Sequence, residues 1–201
     1  MLGELSAKYE SGGDAGSISS GWGDAGGKSY GCYQFASNMG IPQAFVEWLQ
    51  SIGSTYGDSL ANAGQPGTQD FDDMWTYISQ NDQQGFVQLQ HDYVKAVYYD
   101  QAVENLSNIG FNVLNRTEAV QQVLWSRAVQ YSAHWMPELF QNAANLAGQD
   151  LGSINDHNLI YYIYEVNLTD MSWTSGSPTL RPGLFDRFRN ERQDALNMLG
   201  W

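Results

Sequence analysis

The stretch ESGGDAGSISSGWGDAGGKSYGCYQ, residues 10–34, decides how the rest of the chain is interpreted. Its glycines and serines are too closely spaced for a helix, and they predict turns with short strands. The segments that follow it carry apolar residues at helical spacing instead. We therefore expect an α+β, mostly α protein with a small Gly-rich irregular or β element near the N-terminus.

The predicted helices follow the period of the apolar residues. They cover residues 3–10, 41–52, 69–79, about 81–106, about 118–132, 137–147, 154–166 and 183–199, and residues 53–67 and 170–182 are predicted loops. Thr68 is expected to cap the helix at 69–79, and Asn81 with Gln84 resembles a capping box. The helix at 118–132 is apolar on more than one side, which favours a central position. With no repeat or linker in the sequence, residues 1–201 are predicted to form a single domain.

Composition and charge exclude several classes of partner. The chain has 201 residues, of which 42% are hydrophobic, and its net charge is −13 without any basic run. Nucleic acid would repel such a chain, so no nucleic-acid partner is expected. The single cysteine, Cys32, excludes an internal disulfide. No apolar run is long enough to span a membrane, and the N-terminal residues do not have the pattern of a signal peptide.

Two carboxylates of the Gly-rich stretch are candidates for acid–base chemistry. Cleavage of a glycosidic bond needs a carboxylic acid to protonate the leaving oxygen. Glu10 could be that acid if apolar neighbours raise its pKa, and Asp24 could activate water from farther away. Spacing alone leaves both roles open, because a glutamate at a helix end is commonly a surface residue. Asp24 could equally be a turn residue that accepts backbone hydrogen bonds.

Metal and thiol chemistry have less support in the sequence. Cys32 forms no recognisable peptidase motif with His91, His134 or His157. The histidines also lack the H-E-x-x-H spacing of a zinc site. We therefore predict no metal and no cofactor.

Three stretches near the start of the chain carry a family resemblance: Glu10-Ser11, Gly21-Trp22-Gly23-Asp24 and residues 27–34, GKSYGCYQ. They resemble the active-site element of goose-type lysozymes and soluble lytic transglycosylases, in which a Glu-Ser pair precedes G-W-G-D and G-x-G-L-M-Q segments. Residues 125–130, WSRAVQ, and 185–196, FDRFRNERQDAL, are similar to helices of phage endolysins and tail lysins. The resemblance thus places the chain in the lysozyme-like superfamily, closest to phage endolysin or tail-lysin catalytic modules, and implies a lysozyme-like fold.

The resemblance also implies roles for individual residues. Glu10 corresponds to the catalytic acid of the family, and Asp24 corresponds to the aspartate that positions or activates water. Ala36 stands where goose-type enzymes have a second aspartate, which leaves a lytic transglycosylase outcome open beside hydrolysis.

Five further residues are predicted to bind substrate. Gln34 corresponds to the glutamine that lines the cleft of the family, and Tyr30, Tyr33, Trp22 and Gln130 are expected to shape the same cleft. Four of them have a structural alternative. Tyr30 and Gln34 could brace the loop on the core, Trp22 could anchor the loop, and Gln130 could be an interior amide.

The function implied by the resemblance is cleavage of peptidoglycan glycan strands between N-acetylmuramic acid and N-acetylglucosamine, by a glycoside hydrolase of the lysozyme type that lyses bacterial cell walls. The alternatives are a lytic transglycosylase that leaves anhydro-muramic ends, a chitosanase or chitinase-like glycosidase, and a non-catalytic glycan-binding module. The partner would be peptidoglycan, and the protein would be a monomer or a module of a larger lysin. It would act on the bacterial cell wall, released from a host cytoplasm or delivered with a virion.

Overall fold

The computed structural model of the protein describes residues 2–8, 14–22, 26–176 and 178–200. These residues are mostly helical and include a short antiparallel β-hairpin, so the predicted α+β, mostly α class is confirmed. The chain divides into two compact units. We call Glu10–Val94 the hairpin unit, and Met1–Tyr9 with Lys95–Trp201 the helical unit. The assignment of residues 1–201 to a single domain stays a prediction.

The elements, within the described residues, begin and end as follows. The α-helices are α1 (Glu4–Ala7), α2 (Ile41–Ser51), α3 (Thr55–Ala63), α4 (Gln69–Asn81), α5 (Gln83–Val94), α6 (Gln101–Asn108), α7 (Glu118–Tyr131), α8 (Met136–Leu146), α9 (Asp156–Thr169) and α10 (Arg181–Asn197). The strands are β1 (Ser29–Tyr30) and β2 (Phe35–Ala36). A π-helical segment covers Lys95–Asp100, and 3-10 turns cover Ser37–Met39, Val113–Asn115, Ala133–Trp135, Met171–Thr174 and Pro178–Leu180. Among these helices we find none with the length and apolar character that a membrane crossing requires.

Aromatic side chains form the core of the hairpin unit. Phe45 of α2 lies at the centre of this cluster, and its ring centroid lies 5.3–6.0 Å from those of Phe35, Trp75, Phe86 and Tyr93. Aromatic pairs of this kind contribute about 0.5–1.5 kcal/mol each beyond their buried area. The hairpin is therefore held on α2, α4 and α5 by ring packing rather than by its own short ladder.

Helix α3 occupies a stretch that the sequence predicts to be a loop, residues 53–67, so that prediction is wrong. Gly57 explains the difference. A Cβ at this position would lie 2.7 Å from the backbone nitrogen of Gln50. The glycine therefore permits close contact between α3 and α2, and Leu60 is fully buried. Tertiary packing outweighs the weak helix propensity of this Gly-rich run.

The predicted start of α4 is confirmed, and the capping box that follows it is wrong. The hydroxyl of Thr68 accepts a hydrogen bond from the backbone N–H of Phe71 at 3.4 Å. At the other end Asn81 still belongs to α4, and Asp82 precedes the next helix instead. The Asp82 carboxylate accepts the backbone N–H of Gly85 at 3.0 Å. The carboxylate is the better acceptor for that N–H group.

Helix α7 is the centre of the helical unit, as the sequence predicts. Nine of its fourteen residues are buried, and α1, α8, α9 and α10 all pack against it. The side-chain oxygen of Gln122 accepts the backbone N–H of Gly3 at 2.8 Å and so anchors the segment before α1. Gly3 has a φ of 91°, and a Cβ there would lie 3.0 Å from the Trp125 ring. Glycine suits this position on both grounds.

A fully buried ion pair joins α7 to α10. Arg127 Nη2 lies 2.5 Å from Glu191 Oε2, and both side chains have 0% exposure. The hydroxyl of Ser126 donates to the other carboxylate oxygen of Glu191, and Arg127 Nη1 donates to Asn167 at 3.3 Å. Burial, the largest single influence, acts to lower the pKa of Arg127, but the Glu191 charge together with Tyr164 and Tyr131 outweighs it and raises that pKa. The guanidinium therefore remains charged inside the core.

Candidate functional site

The two predicted catalytic residues, Glu10 and Asp24, lie outside the described residues. Their roles as acid and water-activating group stay predictions. The described residues that follow Asp24 in the sequence begin at Gly26 and lead into the β-hairpin. The geometry of the candidate site is therefore that of the hairpin and of the helices packed against it.

The hairpin has a tight connection between its strands. Ser29 pairs with Ala36, and Tyr30 pairs with Phe35. Gly31, the first residue of the connection, has a φ of 73°, and a Cβ there would overlap the side-chain oxygen of Gln90. Because of this close approach only glycine fits, and the side chain of Gln90 determines the path of the turn.

Gln90 of α5 holds two loops in place. Its side chain is fully buried, its amide nitrogen donates to the carbonyl of Ala15 at 3.0 Å, and its oxygen accepts the backbone N–H of Cys32 at 3.0 Å. The Trp75 indole N–H donates to the same carbonyl of Ala15 at 2.7 Å. These long-range bonds fix the Gly-rich stretch on the helices. No sequence motif identifies Gln90, since its partners lie 58 and 75 residues away.

Tyr30, predicted to bind substrate, is fully buried in the structure. Its hydroxyl donates to the carboxylate of Asp72 and accepts the backbone N–H of Gly67 at 2.7 Å. Burial, followed by the hydrogen bond to Asp72, raises the pKa of Tyr30 well above its usual range. In the structure, Tyr30 thus braces the loop on the core, which is the structural alternative that the sequence left open. Contact between Tyr30 and a substrate stays a prediction.

Asp72 is a residue of the site that sequence reasoning missed. Its second carboxylate oxygen forms an ion pair with Lys28, whose ammonium also donates to the carbonyl of Gly67 at 3.2 Å. The carboxylate of Asp72 therefore links the hairpin to α4 through two contacts, one with Tyr30 and one with Lys28. Asp72 is one of two aspartates in the first turn of α4, beside Asp70, and acidic residues are common there in many helices. The sequence therefore held no specific signal for this role.

Tyr33 and Gln34 are placed where a ligand could reach them. The Tyr33 ring is half-buried and its hydroxyl lies 2.8 Å from Nδ1 of His91. The sequence indicates His91 only as a candidate for thiol or metal chemistry and does not predict this contact. Gln34 is exposed, and its amide nitrogen donates to the Gly31 carbonyl at 2.8 Å. Gln34 also has a φ of 53°, in the left-handed region that non-glycine residues avoid. Backbone strain of this kind at an exposed residue is more frequent at functional sites than elsewhere.

Trp22 and Gln130 are both exposed, and the structure assigns them to different units. The Trp22 side chain is 94% exposed, and its backbone N–H donates to the hydroxyl of Ser20 at 3.3 Å. Gln130 lies on the last turn of α7 in the helical unit, so it is not the interior amide of the structural alternative. Their contacts with substrate stay predictions.

The described fold is therefore a mostly helical module with a braced, largely buried hairpin whose turn exposes Gln34. The chain belongs to the family of type VI secretion system spike protein VgrG3-like C-terminal regions, whose family model matches residues 2–192. It is similar to type VI secretion system spike protein VgrG3 of Vibrio cholerae serotype O1, with 34% identity over 199 residues. That alignment covers 98% of this chain and 19% of the relative, so the chain spans about a fifth of the relative's length.

The family match corrects the resemblance drawn from the sequence. The assignment to phage endolysin or tail-lysin modules of the lysozyme-like superfamily is wrong, since the match is to a secretion-spike region. The function derived from it, bacteriolytic cleavage of peptidoglycan by a phage-type muramidase, is overturned with it, together with its transglycosylase, chitosanase and glycan-binding alternatives. The resemblance was misleading because its motifs cover only a few short stretches, whereas the family model matches nearly the whole chain. A larger parent protein, by contrast, agrees with the relative's length.

Proposed function

We propose that this chain is the C-terminal module of a type VI secretion spike protein and is carried out of the cell on that spike. The observation that carries the proposal is the family match, which extends from residue 2 to residue 192. That match includes residues of both the hairpin unit and the helical unit. Each unit also has its own buried core, so the module is suited to remain folded as an appended part of a longer polypeptide.

The proposal is tested by following the polypeptide in the source bacterium. Antibodies against this chain would be used on cells and culture medium of the wild type and of a strain whose type VI secretion system is disabled. We expect to detect the polypeptide in the medium of the wild type alone. A cytoplasmic protein measured in the same samples is the control for cell lysis. Equal amounts in both media would contradict the proposal.

As a second candidate we propose that the module is an enzyme that cleaves glycosidic bonds, with Glu10 as its acid. The observation in its favour is the strained backbone of the exposed Gln34, next to the Tyr33–His91 hydrogen bond. Backbone strain at a non-glycine residue costs about 1–3 kcal/mol and persists only where the surrounding structure enforces it. Residues with such strain are often found in binding sites. The enzyme class itself rests on Glu10 and the chemistry that a carboxylic acid can provide.

The enzyme proposal is tested with a panel of soluble polysaccharides and a reducing-end assay. Glu10→Gln should lower the rate by about 10²–10⁴ because it removes the proton donor. Glu47→Gln is the matched control, since Glu47 is exposed on α2 and its loss changes the net charge equally. The enzyme proposal fails if folded Glu10→Gln keeps more than about a tenth of the activity, or if no polysaccharide is cleaved by the wild type.

A further inference from the structure

The helical unit contains a pocket of about 390 Å³. It lies between the end of α7, the first turn of α8 and the 3-10 turn at Met171–Thr174. The described residues considered for glycosidic cleavage are not among those that line it. The lining residues are Tyr131, Trp135, Glu138, Ser172, Trp173 and Ser175.

Aromatic carbon forms most of the walls. The rings of Tyr131 and Trp173 meet at 70° with their centroids 5.1 Å apart, which makes a corner. Trp135 adds a third ring that is 46% exposed. The hydroxyl oxygen of Tyr131 and the indole nitrogen of Trp173 are both buried, although the two side chains are only half-buried as a whole. The parts of these rings that remain accessible are therefore carbon, not hydrogen-bonding groups.

Apart from the three aromatic residues, the side chains that line the pocket are one carboxylate and two hydroxyls. Glu138 is exposed on α8, one turn after Trp135, and Ser172 and Ser175 flank the indole of Trp173. Within the described part of the chain, no lysine or arginine lines the pocket. The guanidinium carbon of Arg127 lies 5.8 Å from the centre of the Tyr131 ring, on the core side, where the charge of Glu191 balances that of Arg127.

These features select for a positively charged ligand. An aromatic face is electrostatically negative, and it attracts a cation placed within about 6 Å of its centre. The Glu138 carboxylate adds a negative charge and hydrogen-bond acceptors to the same site, and both favour an ammonium group. We propose that this pocket binds an organic ammonium group, held among the rings of Tyr131, Trp135 and Trp173 with Glu138 as its counter-ion. The pocket's volume admits a group the size of choline or the end of a lysine side chain.

The test compares a cation with a neutral molecule of the same shape. Isothermal titration calorimetry would be run with choline chloride, with 3,3-dimethylbutan-1-ol as its uncharged isostere, and with n-butylammonium as the equivalent of a lysine side chain. We expect choline or n-butylammonium to bind in the millimolar range, at least about fivefold more tightly than the neutral alcohol. Tighter binding of n-butylammonium identifies a lysine side chain as the source, and tighter binding of choline identifies a quaternary ammonium.

Matched variants connect the binding to this pocket. Glu138→Gln should weaken the binding of the preferred ammonium compound by about three- to tenfold, and Trp135→Ala should weaken it similarly. Glu118→Gln is the control, because it removes the same charge from an exposed position in the first turn of α7, about 20 Å along the helix from Tyr131. Circular dichroism verifies that each variant is folded.

Three results would overturn the ammonium site. The first is equal affinity for the ammonium compounds and the neutral alcohol, or no binding of either ammonium compound by the wild type. The second is tighter binding of N-acetylglucosamine, a neutral sugar, than of both ammonium compounds. The third is equal loss of binding in Glu118→Gln and Glu138→Gln. Since binding is measured directly, none of these results depends on secretion or on enzymatic activity.

Discussion

Each of the two units contains an ion pair between helices or between a hairpin and a helix, and the two pairs differ in their exposure to water. In the hairpin unit, Lys28 and Asp72 keep 28% and 13% side-chain exposure, so water still screens their attraction. In the helical unit, Arg127 and Glu191 have 0% exposure, and each charge depends on its partner and on neighbouring hydrogen bonds. The same kind of contact therefore has different consequences: loss of one partner leaves a solvated charge in the first case and a buried one in the second.

The largest effect is expected at Arg127. Arg127→Met leaves the Glu191 carboxylate buried, with Arg187 Nε at 4.0 Å as a weaker cationic neighbour. We expect a loss of about 3–5 kcal/mol in the free energy of unfolding, measured by urea denaturation. The double variant Arg127→Met with Glu191→Leu should recover most of that loss, because neither charge of the fully buried pair remains and Arg187, the other neighbour of Glu191, is partly exposed to water. A loss below about 1 kcal/mol in the single variant would remove the contrast between the units.

A smaller effect is expected at Asp72 in the hairpin unit. Asp72→Asn removes the ion pair with Lys28 and weakens the acceptor of the Tyr30 hydroxyl. The expected cost is about 1–2 kcal/mol, since water can partly replace both contacts. Asp73→Asn, at an exposed neighbouring position, is the control and should cost less than about 0.5 kcal/mol. If the two variants lose equal stability, Asp72 does not brace the hairpin.

The comparison can be sharpened by pH at Asp156, a partly exposed carboxylate of the helical unit. Burial acts to raise its pKa, but hydrogen bonds from Thr117 and Arg116 outweigh burial and lower it. Its contribution is therefore complete above the ordinary carboxyl pKa of about 3.9 and is lost as the pH falls through the lower folded value.

Asp156→Asn is expected to cost about 1 kcal/mol at neutral pH and less below the folded pKa, where the wild type has lost the same contribution. Urea denaturation of wild type and variant at pH 7 and near pH 3 measures this difference. A difference that does not change with pH would show that the carboxylate charge has no part in stability.

The smallest effect is expected at Trp22. Its side chain is 94% exposed, so Trp22→Ala should change the free energy of unfolding by less than about 0.5 kcal/mol. A loss above about 2 kcal/mol would mean that Trp22 anchors the loop, as in the structural alternative. Urea denaturation of wild type and Trp22→Ala distinguishes an exposed Trp22 from one that anchors the loop.

Local patterns in the sequence predicted the helices well, because their determinants lie within a few residues of one another. The apolar surface of α7 and the cap at Thr68 are examples. Contacts between distant residues were not predictable in this way. Gly57 permits a helix where composition indicated a loop, and the hydroxyl of Tyr30 finds its acceptor, Asp72, 42 residues along the chain.

The roles of the candidate site residues stay predictions. Tyr33 and Gln34 lie in the turn of the hairpin and are at least partly accessible, but His91, the hydrogen-bond partner of Tyr33, belongs to a helix that no motif connects with that turn. The functional assignment failed for a different reason. Short motifs around Glu10 and Asp24 specify a kind of chemistry, whereas the family to which a chain belongs is expressed over its whole length.

The most direct test of the central claim is a quantitative mass-spectrometric measurement on purified type VI secretion spikes from the source bacterium. If this chain is a spike module, peptides from residues 2–192 will be present in the same molar amount as peptides from the rest of the spike protein. If those peptides are absent from spikes whose remaining components are intact, the chain is not carried by the spike, and its role as a spike module is contradicted.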